Sequence, residues 1–92
     1  MGKYVPNPGI NVDWKQYSKH GLERLAQRGM SRETVESIIK NGKTLEQIAG
    51  QKYAFVNPEG VVVLTSEGKL ITAWSKDFFD DAMNEIIKIL FV

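Results

Sequence analysis

The residues best suited to chemistry in this 92-residue chain fall in one stretch, Ser18-Lys19-His20-Gly21-Leu22-Glu23-Arg24-Leu25-Ala26-Gln27-Arg28-Gly29, which holds its one histidine. Wound as a helix at about 100° per residue, the stretch sets His20, Glu23, Arg24, Gln27 and Arg28 on one stripe and Leu22, Leu25 and Ala26 on the opposite one. An imidazole one turn from one guanidinium and two turns from another suits the gripping and cleaving of a phosphodiester. Imidazole moves protons near neutral pH, and arginine offers a rigid donor fork to phosphate oxygens. The same pattern also describes an ordinary amphipathic helix whose polar face meets water.

A second group lies near the far end of the chain. Leu70-Ile71-Thr72-Ala73-Trp74-Ser75 reads as a strand with Leu70, Thr72 and Trp74 on one face and Ile71, Ala73 and Ser75 on the other. Thr72 can hydrogen-bond a phosphate oxygen and Trp74 can stack on a base, although a threonine–tryptophan pair can equally just support a sheet. Lys52, Tyr53, Lys69 and Lys76 fall near strand ends. They offer a cationic rim or a further acid or base, and each is also an ordinary surface residue. The clustered carboxylates are Asp77, Asp80 and Asp81. They are expected to favour the positive end of a helix rather than to hold a metal, so no metal or cofactor is expected. No strand-to-helix nucleophile elbow and no glycine-rich phosphate loop is present.

The elements that must position these residues follow from composition and patterning. The net charge is +1, so a nucleic-acid partner would have to meet a local patch, and the absence of cysteine excludes disulfides and thiolate chemistry. No apolar run approaches the ~20 residues of a membrane-spanning helix, and the opening residues lack a signal-peptide core, so a soluble chain is expected. Residues 1–17, with Pro6 and Pro8, read as an irregular lead-in. Its Trp14 and Tyr17 are expected to fold back over the start of the first helix. Ser18 is a candidate N-cap for that helix, which stops at Gly29, and Ser31 caps a second helix that stops at Asn41-Gly42. Thereafter the period changes to that of strands: Thr44–Ile48, Lys52–Val56, Val61–Thr65 and Leu70–Ser75, the last three joined by four-residue turns into an antiparallel meander. Val61-Val62-Val63-Leu64, apolar on both faces, is expected at the centre. A last helix is expected over about Asp80–Leu90. The fold class is therefore α+β. The expected elements are two N-terminal helices, an antiparallel sheet of about four strands and a C-terminal helix, with one domain over residues 18–92.

The order Lys19-His20-x-x-Glu23-Arg24-x-x-x-Arg28-Gly29-Met30-Ser31-x-x-x-Val35, then Asn41-Gly42, a hydrophobic strand, and Gly68-Lys69-x-Ile71-Thr72-Ala73-Trp74, resembles small ribonuclease toxin domains of the barnase/EndoU/colicin/RelE-like superfamily. In particular it is similar to the C-terminal modules of contact-dependent growth inhibition (CdiA-type) and related polymorphic toxins, over residues 18–90. The resemblance implies metal-free cleavage of RNA, often tRNA, through 2′-hydroxyl attack. It implies two N-terminal helices packed against a twisted antiparallel sheet, and catalytic roles for His20, Arg24, Arg28 and Thr72; Trp74, Lys52, Tyr53 and Lys76 are expected as substrate-binding residues from their types and places alone. It further implies a cognate immunity protein and a larger secreted or surface-delivered carrier whose toxin acts in the cytoplasm of a target bacterium. Two positions depart from the pattern. Gly21 stands where a helix former is common, and Trp74 replaces a frequent tyrosine, removing a phenolic proton donor. Two other readings stand beside this one: a module that binds RNA without cutting it, and a protein-binding domain with Trp14, Tyr17 and Trp74 as an exposed aromatic patch.

Overall fold

The computed structural model describes residues 3–16, 19–47 and 51–91. Along the chain run β1 (Lys3–Val5), a 3-10 turn (Trp14–Gln16), α1 (Lys19–Gln27), α2 (Arg32–Asn41), β2 (Lys43–Gln47), β3 (Lys52–Asn57), β4 (Gly60–Thr65), β5 (Leu70–Ser75), a second 3-10 turn (Lys76–Phe78) and α3 (Asp81–Leu90). The architecture is α+β, with one five-stranded antiparallel sheet in the order β1-β2-β3-β4-β5. None of the described helices is long and apolar enough to cross a membrane.

Each helix begins and ends for a local reason. The Ser31 hydroxyl accepts from the backbone N–H of Thr34 at 3.2 Å, capping α2, and Val35, Ile38 and Ile39 form its buried stripe. Asp80 caps α3 by accepting from Met83 N–H at 2.8 Å, and Asp81 stands in the helix's first turn. Gly29, at φ +73°, ends α1: its N–H donates to Ala26 C=O at 3.1 Å, and Met30 N–H reaches back to Leu25 C=O at 2.9 Å. That pair of bonds needs a left-handed residue, and it is accompanied by burial of both Leu25 and Met30. The Ser18 cap and the Tyr17 contact expected from the sequence lie outside the described residues, as does Ile48.

The last three strands form the expected antiparallel meander. Asn57 Oδ1 accepts from the N–H groups of Glu59 and Gly60 at 2.8 and 3.2 Å, folding the β3–β4 hairpin around Pro58. The β4–β5 turn closes through Thr65 and Lys69, with Gly68 at φ +94°. Alternation on β3 and β4 then builds two cores. Phe55, Val62 and Leu64 meet Leu25, Met30, Val35, Ile38 and Ile39 on the α1/α2 side, while Ala54, Val56, Val61 and Val63 meet Met83, Ile86, Ile87 and Leu90 on the α3 side. With Val61, Val62 and Leu64 each fully buried, β4 is interior as expected, although the middle strand of the sheet is β3.

The lead-in departs most from expectation. Lys3–Val5 pairs with β2 as a fifth strand, so residues 3–5 are not irregular and the sheet exceeds four strands. The chain then crosses the helical layer as a strap. Asn7 Nδ2 donates to Ile39 C=O at 2.8 Å, Ile10, Val12 and Trp14 pack on the core beneath, and Asp13 N–H donates to Gly68 C=O at 3.0 Å. Trp14 docks on the second helix, and the start of the first, over which it is expected to fold, lies outside the described side chains. Its indole N–H donates to Glu36 Oε1 at 2.9 Å and its ring lies 4.7 Å from the Arg32 guanidinium, both on α2.

One buried polar atom invites a test. Thr44, 2% exposed on β2, has a hydroxyl with no hydrogen-bond partner among the described residues. Thr44→Val keeps the shape and removes the stranded oxygen, so it should stabilise the fold by about 1 kcal/mol, read as a rise in melting temperature of about 4–8 °C. A fall would mean that the hydroxyl is satisfied.

Candidate functional site

β5 is an edge strand, and α1 delivers its C-terminus onto that edge. The Arg28 carbonyl accepts from Ser75 N–H at 3.3 Å, and Gly29 lies so close to the strand that a Cβ there would come within 2.8 Å of Ser75 Oγ. Glycine thus serves twice, for its positive φ and for this approach. With the backbone anchored, the exposed Arg28 side chain runs along the edge, and its Nη1 donates to Thr72 Oγ1 at 2.8 Å. One of the guanidinium's five N–H groups is used in this bond, leaving most of the fork for an incoming anion.

The strand is not regular where it meets the arginine. Thr72 pairs with Val63 but Leu70 pairs with Leu64, a bulge that leaves Ile71 as the extra residue. Parity changes across it. Leu70 joins Ala73 in the α1/α2-side core, so the expected grouping of Leu70 with Thr72 and Trp74 does not hold. Thr72 and Trp74, opposite Val63 and Val61, share the other face. The bulge had one signal in the sequence, the adjacent apolar pair Leu70-Ile71, of which Ile71 is left 41% exposed.

The remaining sequence-derived residues divide clearly. Glu23, Arg24 and Gln27 are exposed along α1 and Leu25 is buried, matching the expected stripe, but Ala26 is exposed rather than buried. His20 belongs to α1; its side chain, with those of Gly21 and Leu22, lies outside the described residues. Lys76 follows β5 directly and is exposed. Lys52 and Tyr53 open β3, separated from β5 by β4 and hence by roughly 10 Å of sheet, and Tyr53 packs on the α1/α2-side core. Trp74 is half-buried against the α3-side core. Trp14 packs on the opposite side of the sheet, so these two tryptophans do not form one aromatic patch, and Tyr17 is outside the described residues. Ser75 Oγ is fully enclosed with no hydrogen-bond partner among the described residues, which leaves Thr72 as the accessible hydroxyl here. Among the described residues no group of three histidine, cysteine or carboxylate side chains is placed to hold a metal ion.

Fold and site together define a small α+β domain that presents a helix-borne arginine to the hydroxyl of a bulged edge strand. The model of a domain of unknown function, DUF4258, matches residues 17–75, and the chain belongs to this family. The matched segment contains His20, Arg24, Arg28, Thr72 and Trp74; the strap and α3 lie outside it. No curated protein and no solved structure matches the chain.

Proposed function

We propose that this domain is a metal-independent endoribonuclease toxin with a barnase/EndoU/colicin/RelE-like fold, cutting RNA of the tRNA class. We propose further that it is carried at the C-terminus of a larger secreted or surface-delivered protein, acts in a target cell's cytoplasm and is held in check by an immunity protein. The observation that carries the reading is the 2.8 Å bond from Arg28 to Thr72. These residues are 44 apart in sequence, both are implied by the resemblance, and their donors converge at an accessible edge.

In the proposed reaction the ribose 2′-oxygen attacks the adjacent phosphorus, the bond to the 5′-oxygen of the next nucleotide breaks, and a 2′,3′-cyclic phosphate and a 5′-hydroxyl result. The 2′-hydroxyl loses a proton and the leaving 5′-oxygen gains one. His20 takes one of these roles. The other falls to Lys52, Tyr53, Lys76 or an arginine: Lys76 is exposed at the end of the site strand, and Lys52 and Tyr53 lie two strands inward. Arg24, Arg28 and Thr72 stabilise the charge that builds on the phosphorane oxygens. An immunity protein covering this cationic face would be acidic. DNA, lacking the 2′-hydroxyl, is not a substrate.

Incubating the purified chain with total RNA tests the reading. Cleavage should persist in excess EDTA, and the 5′ fragments should end in cyclic phosphate. Binding without cleavage would make this an RNA-binding module. Cleavage lost in EDTA and restored by magnesium would sink the metal-free mechanism, even though Asp80 is committed to its helix cap.

A further inference from the structure

Phe78 is 57% exposed although the chain on both sides of it is fastened. Trp74 and Phe79 pack into the α3-side core. Between them Lys76 N–H donates to Glu59 C=O at 2.8 Å, and Phe79 N–H closes the 3-10 turn on Lys76 C=O at 3.1 Å. Phe78 belongs to neither core and stays exposed between these two fastenings. Ile89, 75% exposed on α3, is a scattered surface aliphatic by comparison. Phe78 differs in position: its turn continues the strand that carries Thr72, and the same turn carries the exposed Lys76, which forms no ion pair among the described residues. From Thr72 to Lys76 the strand rise gives about 13 Å, a span of a few nucleotides.

Building on the reading of the Arg28–Thr72 edge as an RNA cleavage site, we propose that Phe78 is a stacking platform for a base of single-stranded RNA a few nucleotides from the scissile phosphate. Lys76 anchors the intervening backbone. An aromatic face accepts any base, so the platform adds affinity and register without sequence preference, while the ammonium supplies a salt-sensitive phosphate contact. The chemistry is specific to nucleic acid. An acidic protein would use Lys76, but it would gain as much from an aliphatic side chain at position 78 as from a ring.

The test compares steady-state cleavage of an unstructured oligonucleotide of about ten nucleotides, a length within the usual range for single-strand grooves. Phe78→Ala should raise KM about tenfold and change kcat by less than about twofold. Phe78→Trp should restore KM, whereas Phe78→Leu should not. Lys76→Ala should lower the slope of log affinity against log salt by about 0.7. Ile89→Ala, an equally exposed apolar truncation, should alter none of these. A wild-type KM in Phe78→Ala, or rescue by leucine equal to that by tryptophan, overturns the platform while leaving the cleavage site standing. Wild-type protein that neither binds nor cuts the oligonucleotide overturns both.

Discussion

Arg28→Ala should lower the single-turnover rate of RNA cleavage by about 10²-fold or more and move the melting temperature by no more than about 4 °C. The asymmetry follows from where the two halves of the residue sit. Its backbone carbonyl, which alanine retains, joins α1 to Ser75; its side chain is exposed and donates to Thr72 Oγ1. Truncating an exposed side chain costs the fold little, whereas losing a donor aimed at developing negative charge costs the reaction heavily. Arg28→Lys should recover only part of the rate, because an ammonium keeps the charge without the planar fork. Thr72→Val and His20→Ala belong to the same series, and both should fail in chemistry. Quenched-flow cleavage beside circular-dichroism melts reads the two effects separately. A wild-type rate in Arg28→Ala would remove the edge of β5 from the reaction.

Phe55→Ala should do the opposite, costing about 3–5 kcal/mol and lowering the melting temperature by about 15–30 °C, with loss of activity only as the folded fraction falls. Phe55 is fully buried on β3 and is the largest of the completely enclosed side chains among the described residues, with α2 above it and neighbours on β4 beside it. Removing its ring leaves a cavity that fixed strands cannot close, and the loss is a large share of the total stability of a domain this size. Below its melting temperature the variant should cleave RNA at nearly the wild-type rate per folded molecule, since Phe55 reaches neither Arg28 nor Thr72. A melt like that of the wild type would show that the sheet does not close over this ring.

Much of this architecture was legible because it is local. Ser31 and Asp80 announced their caps, Gly29 its turn, and Asn57-Pro58-Glu59-Gly60 its hairpin, each through side chains acting within four residues. What escaped depends on distant partners. Lys3-Tyr4-Val5 is too short to read as a strand by itself and becomes one only against Thr44–Glu46. Trp14 reads as a neighbour of the helix that follows it, and its contacts with Glu36 and Arg32 on α2 are made across more than fifteen residues that spacing does not join. In β5, strict alternation assigned Leu70 to the wrong face because a bulge changes parity without any required residue type. The arginine and threonine of the candidate site were legible as types and spacings. Their meeting was not, because it depends on how closely Gly29 lets α1 approach the strand.

The strap has a bearing on how the chain reaches this structure. From Lys43 to Ser75 every strand pairs with the next one along, through hairpin closures that involve few residues and little loss of loop entropy. The strap's fastenings are of another kind: Asn7 to Ile39 spans 32 residues, and Asp13 to Gly68 spans more. High contact order thus lies in the strap and in the contact of α1 with β5, in a chain whose remaining topology is nearly sequential. The meander and the two helices that flank its start can assemble as a unit, and the amino-terminal segment is the one that must wait for both of its landing points, at α2 and at the β4–β5 turn, to exist.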